Sequence, residues 1–154
     1  MSTIPAALDA LVALAARAWP DDVQVLDGGP TVEVKDDVIA IGYSGSESQP
    51  DVQSRVTGEQ LELEPDREAY DVWCMFSAWR GDAHRDGKPD ARTVRRRAFE
   101  LLAGFRDELG RDSRLGGTVM MARLSTVDVT ADQTRNGPVC TIRVQVHIDA
   151  FAAA

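Results

Sequence analysis

Between Tyr70 and Trp79 the sequence alternates with a period of two, and both parities are apolar. Tyr70, Val72, Cys74, Phe76 and Ala78 fall on one side, and Trp73, Met75 and Trp79 on the other, with only Asp71 and Ser77 to wet it. Successive side chains of an extended chain point to opposite faces, so this stretch, read from Glu59 to Arg80, predicts one long strand whose second face is unusually apolar for solvent. A second alternation, Val139 to Ala150, sets Ile142, Val144, Val146 and Ile148 against Arg143, Gln145, His147 and Asp149. With Thr118 to Thr130 before it and a turn region containing Asn136-Gly137 between, it predicts a long C-terminal antiparallel hairpin.

Strands of that length need a cover, and two segments supply helical spacing. Thr3-Ile4-Pro5, a capping hydroxyl with an early proline, precedes Leu8, Leu11, Val12, Ala15, Ala16 and Trp19, which predicts an amphipathic helix ending at Pro20. Asp90 is a candidate N-cap for a second helix carrying Val94, Ala98, Leu101, Leu102, Phe105 and Leu109, closed by Gly110. Val23 to Leu26 and Val38 to Tyr43 read as short strands about the turn Asp27-Gly28-Gly29-Pro30, while residues 44–58 are polar and predict an exposed, mobile loop. The expected fold is a single α+β domain over residues 1–154: an antiparallel or mixed sheet with two main helices packed on one face. A chain of this length can bury about two thirds of its unfolded surface, so the core needs no metal or disulfide.

Charge narrows the function classes. The net charge is -8, which disfavours nonspecific attraction to nucleic acid or to an anionic membrane. The charge is also segregated: residues 1–77 carry 15 acids and 4 bases, residues 78–154 carry 10 acids and 13 bases. Such halves neutralise each other within one fold or attract across subunits packed head to tail. Within residues 80–97 the excess is basic, and Arg92, Arg95, Arg96 and Arg97 are expected on the wet sides of the second helix, solvated or facing carboxylates of a partner. No basic leader and no long apolar run is found, so neither a secretory signal nor a membrane span is expected.

Four features of the sequence bear on chemistry. Gly42-Tyr43-Ser44-Gly45-Ser46 resembles a nucleophile elbow, but its last glycine comes one position early and no helix follows, so Ser44 is read as a loop serine. Asp82, His84, Asp86 and Gly87 sketch a calcium loop with His where an oxygen ligand belongs and Thr93 where the bidentate Glu belongs. Cys74 and Cys140 are far apart in apolar surroundings and read as buried free thiols, and His147 reads as a surface residue. No catalytic residues, metal site or cofactor are expected.

The order of pieces resembles the tail terminator, or tail completion, proteins of long-tailed bacteriophages. It runs from the opening helix through Val23 to Pro30, the strand ending Ile41-Gly42-Tyr43, a polar loop, the strand Glu68 to Trp79 and the helix Thr93 to Leu109. Leu115-Gly116-Gly117 then leads into Val119-Met120-Met121-Ala122, and the strand Thr141 to Ile148 closes the chain. The resemblance implies a non-enzymatic virion protein of the tail or neck, assembled in the bacterial host cytoplasm. It implies a ring, typically a hexamer, that caps the head-proximal end of the tail tube, ends tube polymerisation and joins the head connector or stopper protein. DNA would be met only as genome passing through the lumen, and a membrane not at all.

On that reading Trp73, Met75 and Trp79, exposed opposite the core face, with Arg92, Arg95 and Arg96, are candidate subunit-interface residues. Ser46, Glu47 and Asp51 in one loop, and Asp82, His84, Arg85 and Asp86 in another, are candidates for docking to tube or connector. Two alternatives stand beside it: another neck or head-tail joining ring protein, or a small ligand-binding domain with a pocket near Tyr70, Trp73 and Cys74.

Overall fold

The two long alternations become neighbouring strands, and the other elements are placed by how they cover or extend them. The computed structural model describes residues 2–31, 33–57, 67–81, 91–134 and 137–152. In chain order these form α1 (Ile4–Ala18), β1 (Gln24–Asp27), β2 (Asp37–Ile41), β3 (Val52–Thr57), β4 (Arg67–Trp79), α2 (Ala91–Arg111), a 3-10 turn (Leu115–Gly117), β5 (Met121–Thr134) and β6 (Gly137–Phe151). The sheet runs β1-β2-β4-β6-β5, with β3 joining β4 on the same edge as β2 but farther along it.

The β4 and β6 strands are antiparallel over their whole length, from Arg67 opposite Phe151 to Trp79 opposite Val139. The even-numbered side chains of β4 from Glu68 to Ala78, and of β6 from Cys140 to Ala150, are buried beneath the helices, and the odd-numbered ones lie on the open face. Ala7, Leu11, Leu14 and Ala15 of α1 and Val94, Ala98, Leu101, Leu102, Phe105 and Leu109 of α2 close this core, where Phe105 meets Phe76 edge to face at 5.2 Å. The fold is thus the expected α+β domain: two helices on one face of a mixed sheet.

Several local expectations are corrected. The polar run 44–58 holds a strand, β3, whose residues Val52 to Thr57 pair with Arg67 to Val72. Polar residues separate its valines, so the run gives only a faint alternation, and in the fold Val52 packs half-buried against the core while the backbone pairs along β4. The second helix runs through Gly110 to Arg111 instead of stopping at that glycine. After it the chain reverses at Leu115, Gly116 and Gly117, all with positive φ, where the Asp112 carboxylate accepts from the Gly116 amide and Leu115 turns into the core.

At the other end β1 and β2 are parallel, although residues 28–36 are fewer than the dozen or so that a crossover normally needs. The returning chain stays beside the sheet edge. Gln24 clamps it there, donating from Nε2 to Glu33 O and accepting from the Lys35 amide at Oε1.

Thr3 does not cap α1 with its hydroxyl. Its amide and hydroxyl both donate to Glu68 Oε2, at 2.9 and 2.8 Å. That hydroxyl's one proton being spent, the Tyr70 hydroxyl 2.9 Å away is the donor to it. Burial alone would raise the Glu68 pKa, but these bonds and a further one from Ser2 hold it below the ordinary carboxylate value. The start of α1 is thereby tied to the middle of the sheet.

Candidate functional site

The apolar second parity of β4 does lie opposite the helices, but its members are not equally accessible. Trp73 is only 6% exposed. Arg143 of β6 stacks over its ring at 5.5 Å and donates from Nη1 to Ser44 O, which draws the turn after β2 across the same face. That turn is built on Ser44, whose buried Oγ lies 3.0 Å from Ser46 O and 2.9 Å from Gln49 O and shares its proton between them. Asp51 Oδ1 accepts from the Ser44 amide, and the Trp73 amide donates to Asp51 O. Ser44 is therefore a structural turn residue and Trp73 a core residue of the open face. Met75 and Trp79 are half-buried, with the Trp79 ring lying against Gly81. Of the turn's candidate docking residues, Glu47 and Asp51 are exposed and Ser46 half-buried.

The basic face of α2 divides. Arg92, Arg95 and Arg96 are exposed as expected. Arg97 turns inward: its Nε donates to Asp37 Oδ2 at 2.8 Å, and its guanidinium sits 4.7 Å over the Trp19 ring. Arg80 Nη1 reaches the other Asp37 oxygen at 2.7 Å. Asp37 is 7% exposed, so desolvation would raise its pKa, yet the two guanidiniums outweigh this and hold it below the ordinary value. One carboxylate thus fastens α2 and the ends of β2 and β4, with the end of α1 packed over it. Beside it is a groove of about 330 Å³ lined by Arg80, Arg92, Thr93, Arg96, Arg97 and Glu100. The second docking loop, Asp82, His84, Arg85 and Asp86, lies outside the described residues, as does the calcium-like pattern it carries.

His147 is half-buried on the open face, not a plain surface residue. Its Nδ1 is 2.8 Å from Asp71 Oδ1, and its Nε2 3.6 Å from Asp149 Oδ2. Both cysteines are buried and free, and burial pushes the Cys74 thiol up to about 12, far from nucleophilic use. Tyr70 and Cys74 face the helices while Trp73 faces away, so these three residues do not converge on one pocket. Among the described residues no cluster of His, Cys, Asp and Glu is arranged to hold a metal, and no helix is long and apolar enough to cross a membrane.

The surfaces that sequence reading passed over are the two edges of the sheet. At the β1 edge, Asp21, Asp22, Asp27, Glu33 and Asp36 are exposed around Val34, itself 44% exposed. At the β5 edge a groove of about 460 Å³ runs between α2 and the strand, lined by Arg106, Leu109, Ala122, Arg123, Leu124 and Val127 among others. Val127 and Val129 pair with Val144 and Ile142, which puts them on the helix side, yet each remains nearly half exposed. Phe99, 47% exposed, shares the flank of α2 that carries Arg106. The uneven charge of the two chain halves was the available signal; its placement on opposite edges was not readable without the strand order.

No family model and no curated protein matches the chain. Among solved structures, one described as "Virion of native gene transfer agent (GTA) particle" aligns with 91% of this chain and 86% of that chain, at a TM-score of 0.44 and 9% sequence identity. At that distance the role has to be argued from the chain itself.

Proposed function

We propose that this chain is a structural subunit of a phage-type virion, a tail terminator that forms a ring on the head-proximal end of the tail tube. The ring stops tube polymerisation and presents a face to the head connector. The observation that carries this reading is the order of elements: an opening helix, paired short strands, a long central strand, a second helix, the Leu115-Gly116-Gly117 turn and a closing hairpin. This is the sequence of pieces on which the resemblance rests. Two further features support it. The buried polar groups Asp37, Ser44 and Glu68 are engaged in holding elements together, as suits a non-enzymatic part. The net charge of -8 suits a lumen through which DNA slides without sticking. A neighbouring neck ring would share these traits, and partner choice separates the two.

Native mass spectrometry of the purified protein over a concentration series, with and without its cognate tube protein, tests the proposal. A closed oligomer of about six copies that caps tubes and limits their growth is expected. A ring that binds connector but ignores tube ends assigns the chain to the neck instead. A chain that stays monomeric in the presence of tubes overturns the ring reading.

A further inference from the structure

The exposed charges at the two ends of the sheet are complementary and unspent. Among the described residues, the carboxylates of Asp21, Asp22, Asp27, Glu33 and Asp36 at the β1 edge make no ion pair, and Lys35 is the only base among residues 21–36. The only charged residues lining the α2/β5 groove are Arg106 on α2 and Arg123, which pairs with His147 and so projects on the open-face side of the edge strand and borders the groove at its rim; both are exposed and likewise without an ion pair among the described residues. Each edge also offers apolar surface: Val34 as a single projection on the acidic side, and Leu124, Val127 and Leu109 as the floor of the basic groove. Because β1 and β5 are the two ends of one sheet, a single copy cannot bring them together.

We infer that the acidic β1 edge of one copy, residues 33–36 with Asp21, Asp22 and Asp27, docks into the α2/β5 groove of a second copy, Val34 entering the groove while its flanking carboxylates meet Arg106 and Arg123. The occupant is a second copy of this chain because both halves of the match, in shape and in charge, belong to the same molecule on opposite edges. The contact is heterologous: each copy presents its acidic edge to one neighbour and its groove to another, and repetition closes a ring when the rotation allows. This rests on the ring reading above and names the surfaces that would build it.

Charge reversal tests it. R106E/R123E makes both edges acidic and D22R/E33R/D36R makes both basic, so each variant alone opposes its own head-to-tail packing. All five positions are exposed, and unchanged circular dichroism and unfolding midpoints show that the variants fold. In sedimentation velocity each variant should associate at least about tenfold more weakly than wild type. An equimolar mixture of the two should recover assembly, since each then offers the other a matched edge. If wild type forms rings and the variants do so equally well, this interface is wrong while the ring reading survives. If wild type is monomeric with and without tubes, the ring reading itself fails. If wild type is monomeric but R106E/R123E blocks tube binding, the groove belongs to another protein and the second-copy assignment is overturned.

Discussion

Asp37 shows how one residue can join distant parts of this chain. Its carboxylate is almost wholly buried between Arg80 and Arg97, and Arg97 in turn covers Trp19. In D37N the amide keeps the shape but leaves two guanidiniums facing a neutral group, so a loss of about 2–3 kcal/mol is expected from urea unfolding at neutral pH. The pH dependence has a definite sign. The folded pKa lies below the ordinary carboxylate value, so the stabilisation is complete above that value and is lost as pH falls through the folded pKa. The gap between wild type and D37N should therefore stay constant from pH 7 to about 5 and narrow below about 4. A gap undiminished at pH 3 would mean that the carboxylate's charge is not what binds the cluster. None of this was legible in the sequence. Arg97 sits among three other arginines on α2, and only the approach of β2 beneath that flank singles it out. Likewise Thr3 reads as a cap by type and position, and the nearby Glu68 redirects it.

At the scale of elements, the long alternations and the helical spacings were legible because burial on one face forces a period on the residues. The β3 strand and the parallel pairing of β1 with β2 were not: β3 brings one half-buried valine, Val52, in a polar run, and β2 is buried on both faces, so its residues carry no period that points to a partner. The two glycines of α2 make the same point in energetic form. A Cβ on Gly104 would lie 2.8 Å from Trp19 Nε1, whereas one on Gly110 would meet nothing within 4 Å. Alanine is worth about 1 kcal/mol over glycine inside a helix, so G110A should stabilise by up to about that much. G104A should instead destabilise by about 1–3 kcal/mol, because the displaced indole loses its bond to Leu101 O and its place under Arg97. Paired thermal melts decide it, and stabilisation by both would mean α1 is free to shift. The open face of β4 divides in the same way. W73S removes a ring covered by Arg143 and the 43–51 turn and should cost about 3 kcal/mol or more. M75S, at a half-buried position, should cost clearly less in the same denaturation series, leaving Met75 and Trp79 as the testable interface residues of that face.

The whole molecule carries a buried ion-pair cluster and exposed charges at its two sheet edges, and salt should separate their effects. Inside, the Asp37 cluster is shielded from solvent and little affected by added ions. Outside, the carboxylates at the β1 edge and the guanidiniums at the β5 edge are exposed, so any attraction between copies acts through water. The screening length falls from about 10 Å at 0.1 M salt to about 3 Å at 1 M. Self-association should then weaken steadily between 50 and 500 mM NaCl while the unfolding midpoint of the single chain barely moves, as followed by sedimentation and by chemical denaturation on the same samples. Association that strengthens with salt would point to the apolar floor of the groove as the driving contact, with the charges selecting only orientation. The same charge balance bears on DNA. With a net charge of -8 the protein as a whole repels a phosphate backbone, and the exposed Arg92, Arg95 and Arg96 are a local exception to that balance. Duplex DNA should not be retarded by the assembled protein in a gel at physiological salt. If R106E/R123E abolished a retardation seen with wild type, the groove would be a phosphate site and the head-to-tail contact would have to lie elsewhere.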